Sequence, residues 1–230
     1  MSESRVEIGP VTLYCGDCLK IIPTLSGIDA IVTDPPYGIN FATNHSVDGV
    51  RASWFGKTIH GDENLAARDA IVRWAGDRPT LMFGSWKMPK PEGTRAVLIW
   101  DKGPQFGMGD LSLPWKPSWE EIYVIGKGFA GKRDEGVIKG RSGVSWESKG
   151  RCHPNEKPVE LMKYLLRKTL GEIVLDPFMG SGSTLEACLR TGRKGVGIEK
   201  DPHYFAIACE RIRKAWAEEN APLYATGEAG

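Results

Sequence analysis

The chain lacks any run of about eighteen apolar residues, the length a membrane-crossing helix requires. Its opening, MSESRVEIGP, has neither a basic flank nor an apolar stretch, so a secretory leader is not expected. These absences predict a soluble, intracellular protein. The five cysteines, Cys15, Cys18, Cys152, Cys188 and Cys209, are odd in number and follow no framework spacing, which argues against a disulfide scaffold. Cys15-Gly16-Asp17-Cys18 forms a single C-x-x-C with no second pair at zinc-site spacing, so no metal is expected. A strong net charge is also missing: thirty Lys and Arg oppose twenty-nine Asp and Glu. A P-loop is not expected, because Arg51 stands where the pattern ending in Gly56-Lys57-Thr58 requires its first glycine. Internal repeats and low-complexity tracts do not occur.

What is present is an alternation. Short β-type runs, VTLYCGD, DAIVTD, RPTLMFGS, RAVLIWDK, EEIYVIGKG, EIVLDPF and KGVGIEKD, are separated by helical patterns at Leu65 to Ala75, Pro158 to Leu170, Ser183 to Thr191 and Pro202 to Trp216. That order predicts an α/β sheet. In the second helix Leu161, Met162, Leu165, Leu166 and Leu170 share a side, as a helix covering a sheet requires. With 230 residues and 41% hydrophobic content, the chain can bury one substantial core and is short for two. One domain over residues 1–230 is expected.

Two stretches, 39–64 and 126–151, are Gly-rich and polar without periodicity and read as long loops, candidates for substrate contact. Residues 218–230 read as a frayed tail. Between Lys127 and Lys168 eleven basic residues face five acidic ones, which suits either a phosphate-contacting face or a solvated charged surface.

The most specific local signal is Thr33-Asp34-Pro35-Pro36-Tyr37-Gly38, directly after an apolar strand. Two prolines cannot donate to a sheet ladder, so the chain must turn out at the carboxyl end of that strand, the edge at which open α/β sheets bind ligands. Asp34 and the Pro35 carbonyl supply two acceptors, and Tyr37 an aromatic face. An exocyclic base amino group is a weak nucleophile because its lone pair is delocalised. Two acceptors on its hydrogens favour a pyramidal nitrogen and stabilise the charge that develops during attack, while the aromatic ring stacks on a base rotated out of a duplex. An ordinary β-turn with an Asp cap is the plainer alternative.

A second signal is Asp176-Pro177-Phe178-Met179-Gly180-Ser181-Gly182-Ser183-Thr184, after a strand and opening a helix. Glycines there let backbone approach a ligand, and the helix start offers unpaired N–H groups. The next strand ends in Glu199, near the spacing used to grip ribose hydroxyls. A tight turn plus a surface Glu is the alternative. A nicotinamide-dependent oxidoreductase is disfavoured because Leu185 replaces the third glycine of the dinucleotide fingerprint.

Together these motifs resemble those of the DNA amino-methyltransferases, with Asp34 to Tyr37 matching Asp-Pro-Pro-Tyr, and Phe178, Gly180 and Gly182 matching Phe-x-Gly-x-Gly. The catalytic motif comes first, as in the permuted β group. Gly16-Asp17-Cys18-Leu19 and His153-Pro154-Asn155-Glu156-Lys157-Pro158 resemble two further segments of the family, and the resemblance spans Val11 to Trp216. In isolation Asp17 could merely cap a helix, His153 be a loop histidine and Lys157 a solvated charge.

The resemblance implies a Rossmann-like domain with a mostly parallel seven-stranded sheet and helices on both faces. It implies S-adenosylmethionine as cofactor, its methionine end near Asp176, Phe178 and His153, its ribose on Glu199 and its adenine near Asp17, with Asp34, Lys157, Gly180, Gly182, Ser183 and Thr184 completing the pocket. Catalysis falls to Asp34, Pro35, Pro36 and Tyr37. The expected reaction is methylation of adenine N6 in double-stranded DNA with the base flipped. Cytosine N4 is the alternative, disfavoured because the cytosine enzymes more often carry Ser in place of Asp34. A non-catalytic DNA-binding protein, or a methyltransferase of RNA or protein, remains open, and a homodimer is compatible. Target recognition is shorter here than is usual in the family. Arg51, Lys57, Lys132, Arg133, Lys139 and Arg141 are the expected DNA contacts. Trp86, Trp100, Trp115, Trp119 and Trp146 are expected mainly as core or interface anchors.

Overall fold

The computed structural model describes residues 4–36, 46–47, 50–51, 64–103, 112–139 and 156–221, with backbone alone at 46–47 and 50–51. In chain order the strands are β1 (Ser4–Ile8), β2 (Val11–Cys15), β3 (Ala30–Thr33), β4 (Ser46–Val47), β5 (Val50–Arg51), β6 (Thr80–Gly84), β7 (Thr94–Asp101), β8 (Trp119–Ile125), β9 (Val137–Ile138), β10 (Ile173–Asp176) and β11 (Lys194–Glu199). The helices are α1 (Cys18–Ile21), α2 (Ala66–Ala75), α3 (Val159–Leu166), α4 (Ser183–Arg190) and α5 (Pro202–Glu219).

Nine strands form one sheet in the order β1-β2-β11-β10-β3-β6-β8-β7-β9. From β2 to β6 every pairing is parallel, whereas β8 runs antiparallel between β6 and β7. The seven strands read from the sequence form the body of the sheet. Two short edge strands extend it: β1, antiparallel to β2, and β9, parallel to β7. The turn joining β1 to β2 needs glycine: Gly9 has φ 53°, and a Cβ there would lie 2.7 Å from the Trp216 ring.

Alternation along the strands sends neighbouring residues to opposite faces. Ile31, Met82 and Leu175 pack with Ile71, Val72 and Ala75 of α2 on one face. Val32, Leu81, Phe83 and Val174 pack with Leu161, Met162, Leu165 and Leu166 of α3 on the other. At that face's far end α4 and α5 cover Val11 and Leu13. Close approach of α4 depends on β11 lacking side chains on that side, since a Cβ on Gly197 would meet Leu185 at 2.5 Å and Met179 Sδ at 2.4 Å.

Three local expectations are corrected. Leu170 lies beyond the end of α3 and is exposed. Glu218 and Glu219, read as part of a frayed tail, continue α5 and pair with Arg190. The stretch from residue 126 is not wholly loop: Phe129 bridges to Thr169, and β9 returns to the sheet. Among the described residues no helix is long and apolar enough to cross a membrane.

Candidate active site

Strand direction gathers the motifs on one edge. The carboxyl ends of β2, β3, β6, β10 and β11 point the same way, and the antiparallel β8 begins there, so Asp17, Asp34, Asp176, Glu199 and Glu120 all lie along that edge. This is the ligand-binding edge of open α/β sheets.

The two principal motifs are physically joined. Thr33, the fully buried last residue of β3, donates its hydroxyl to Asp176 Oδ1 at 2.6 Å. Asp176 also accepts from the Phe178 N–H at 3.1 Å and, through Oδ2, from the Thr184 hydroxyl at 2.5 Å. Burial pushes the Asp176 carboxyl up to about 6 against the lowering effect of these three donors. Both oxygens are thus engaged by the protein, so this carboxylate braces the glycine turn.

The turn itself is open. Gly180 and Gly182 have φ of 51° and 88°, and no described atom lies within 4 Å of the place a Gly180 Cβ would occupy. Glu199 tethers the turn by accepting from the Gly180 N–H at 3.0 Å and from the Asp201 N–H at 2.8 Å. Burial raises its pKa above the usual carboxylate range. A backbone cradle open on one side and flanked by an acidic acceptor fits a polar nucleoside-bearing cofactor. Asp17 does act as the helix cap, accepting from the Leu19 N–H at 3.0 Å.

Lys157 is not a solvated charge. It is buried, and its ammonium lies 2.7 Å from Asp34 Oδ2, 3.1 Å from Glu120 Oε2 and 4.9 Å from the centre of the Phe83 ring. Glu120 is bonded from its other oxygen by Lys102 at 3.0 Å. Burial disfavours the charge on Lys157, but Asp34 and Glu120 outweigh it and raise its pKa. Burial likewise opposes ionisation of Glu120, and the two lysines outweigh it to lower the pKa. Lys157 therefore faces Asp34, on the catalytic side of the expected site.

Arg211 of α5 went unnoticed in the sequence. Its Nη1 donates to Ser181 O at 3.1 Å, Ser181 Oγ at 3.0 Å and Ser183 Oγ at 3.2 Å, its Nε lies 2.9 Å from Glu186, and Nη2 pairs with Glu156. It fastens the glycine turn to α4 and to the segment carrying Lys157. An Arg in a long amphipathic helix gives no local sign of such a role.

The expected DNA contacts separate. Lys139 follows β9 at the carboxyl edge. Lys132 and Arg133 lie by the end of α3, where Lys168 donates to Lys132 O and pairs with Asp134. That is the amino edge, about a strand's length from Asp34, so the structure does not bring these two to the site. Lys127 pairs with Asp77, and Lys163 with Glu160, so part of the basic excess is locally neutralised. Tyr37, His153, Lys57, Arg141 and Trp146, and the side chain of Arg51, lie outside the described residues. Trp100 is a core residue, whereas Trp86 and Trp115 are 62% and 79% exposed and so do not anchor the core. They follow β6 and precede β8 on the carboxyl edge, with Lys87 and Lys116 beside them in sequence. Among the described residues, no cluster of His, Cys, Asp and Glu is arranged to hold a metal.

The sheet order, the edge and the glycine cradle define the fold of the S-adenosylmethionine-dependent methyltransferases. Solved structures share it: M1.HpyAVI in complex with S-adenosylmethionine (24% identity, TM-score 0.63, covering 87% of this chain and 99% of that one) and the cytosine-N4-specific PvuII DNA methyltransferase (15%, 0.59, 90% and 92%). In sequence, the DNA methylase model of the N6/N4 methyltransferase family matches residues 138–210. The methylase YubD of Escherichia coli K12 is 29% identical over 219 residues, 86% of this chain and 88% of that protein. The type II methyltransferase M.HpaI of Haemophilus parainfluenzae is 25% identical over 236 residues, 87% of this chain and 73% of that protein. The chain is thus similar to DNA methyltransferases over most of its length, and to the N6/N4 family model over residues 138–210.

Proposed function

We propose that this protein methylates the exocyclic N6 of adenine in double-stranded DNA, with Asp34 receiving the target amino group. The observation that carries this reading is the Asp34 carboxylate held 2.7 Å from the buried Lys157 ammonium, one residue beyond the Thr33 bond that ties it to the glycine turn. Bound S-adenosylmethionine supplies a sulfonium methyl that passes to an attacking nitrogen and leaves a neutral thioether, so the protein need only align and polarise. Gly180, Gly182 and Phe178 line its place, Glu199 takes the ribose and Asp17 lies toward the adenine. Asp34 and the Pro35 carbonyl accept the two amino hydrogens, Pro36 fixes the turn, and Tyr37 stacks on the flipped base. The nitrogen then attacks in line, and its proton leaves to solvent afterwards. Exposed Trp86 and Trp115 with their lysine neighbours, and Lys139, give this edge the aromatic and basic groups that DNA contact uses. Asp rather than Ser at position 34 favours adenine over cytosine.

The test is incubation of the protein with unmethylated DNA and S-adenosylmethionine, then digestion and mass spectrometry of the nucleosides, with Asp34→Ala alongside. N6-methyladenine from the wild type alone is expected. N4-methylcytosine would overturn the choice of base, and a fully active Asp34→Ala would remove Asp34 from the chemistry.

A further inference from the structure

Glu120 is a half-buried carboxylate on a strand two places removed from the Asp34 turn, and neither principal motif contains it. Its environment is ordered by charge. Along the carboxyl edge runs an alternating series, Asp34, Lys157, Glu120, Lys102, with successive contacts of 2.7, 3.1 and 3.0 Å. The four side chains come from four places: the turn after β3, the segment before α3, the start of β8 and the end of β7. All are largely withdrawn from solvent, with side-chain exposures of 23%, 7%, 21% and 19%. The Phe83 ring lies 4.9 Å from the Lys157 ammonium, and Asp176 is close enough to feel the Asp34 charge. On the opposite face of β8, Glu121 is engaged separately by the Tyr123 hydroxyl.

We propose that Glu120 is a positioning residue for methyl transfer: held by Lys102, it draws on the Lys157 ammonium and so fixes the Asp34 carboxylate that receives the target amino group. The inference rests on the role given to Asp34 above. A buried ion pair adds little net stability over an apolar replacement, so stability alone does not account for two lysines and two acids in this place. Geometry does. A lysine stem has four rotatable bonds, and a single acidic partner would leave its ammonium free to follow Asp34. A second anion on the far side, itself bonded through its other oxygen, gives the ammonium one position. Glu120 also shares the positive charge, so Lys157 does not fully neutralise the acceptor.

Steady-state methylation by Glu120→Gln, wild type and Asp34→Asn tests this, with S-adenosylmethionine affinity and thermal unfolding measured on each. Glu120→Gln should lower kcat about tenfold, the scale of coupling within one ion-pair network, while KM for S-adenosylmethionine and the unfolding midpoint stay near wild type. Glu120→Gln with unchanged kcat overturns the proposal, as does a loss of kcat matched by loss of cofactor affinity and unfolding temperature, the mark of a merely structural role. Should Glu120→Gln not fold, Lys102→Met carries the test from the other side of the carboxylate: kcat should fall several-fold with KM unmoved, and an unchanged kcat overturns the proposal. Asp34→Asn separates the two readings. If it is fully active, the role of Asp34 fails and this inference with it; if it is inactive while Glu120→Gln turns over normally, only Glu120 is dismissed.

Discussion

Thr33 and Asp176, 143 residues apart in the chain, share a buried hydrogen bond of 2.6 Å that joins the strand carrying the Asp-Pro-Pro turn to the strand carrying the glycine turn. The two strands are sheet neighbours, and this bond ties the turn of Asp34, proposed to receive the amino group, to the glycine turn proposed to cradle the cofactor. Thr33→Val keeps shape and removes the donor. Since a hydrogen bond to a charged group is worth about 1.5–3 kcal/mol, urea unfolding should show a stability loss of that size. Isothermal titration should show weaker binding of S-adenosylmethionine.

The raised pKa of Asp176, about 6 against an ordinary 3.8, carries a pH signature. The folded protein binds the proton more readily than the unfolded chain, so this group's contribution to stability is fully present below about pH 4. It is lost as pH rises through 6, a change of about 3 kcal/mol. Glu199, also raised, acts in the same direction, whereas the lowered Asp29 and Glu120 act oppositely. The difference between wild type and Asp176→Asn isolates Asp176. Stability curves from pH 4 to 7 should show the variant gaining on the wild type as pH rises, and parallel curves would contradict the assignment.

Arg211→Met should act on the cofactor side of the reaction. It removes donors from Ser181 and Ser183 and leaves Glu156 and Glu186 without their shared partner. Glu186 keeps Arg190, so the loss is that of charge-assisted hydrogen bonds, about 1.5–3 kcal/mol. Chemical denaturation should register that loss, and KM for S-adenosylmethionine should rise more than kcat falls.

The division of basic residues between the two sheet edges predicts unequal effects on DNA. Lys139→Ala should weaken DNA binding and reduce the slope of log affinity against log salt by about 1, as one lost phosphate contact does. Lys132→Ala with Arg133→Ala should leave both unchanged. Fluorescence anisotropy over a salt series distinguishes them.

Much of this molecule is local and therefore legible from sequence. Short continuous apolar runs such as Ala30–Thr33 and Ile173–Asp176 announce strands covered on both faces, because such a run is a property of the segment itself. Prolines 35 and 36 end a strand, and glycines 180 and 182 open a helix, through backbone chemistry that needs no partner. The family likeness rests on those same segments. What the sequence did not reveal is pairwise. Lys157, which the resemblance puts in the cofactor pocket, has no sequence neighbour that points to Asp34; only the meeting of β3, β8 and the segment before α3 turns it there. Asp176, expected at the cofactor, engages its carboxylate with Thr33, brought by the parallel neighbour β3, and with Thr184, brought by the turn into α4. Lys132, Arg133 and Lys139 are seven residues apart at most, yet β9 carries one to the active edge and leaves two behind. Composition and local pattern determined which elements form and where the chain must turn. Tertiary structure decided which charges meet, because ion pairing depends on separations of a few ångströms across strands that are distant in sequence.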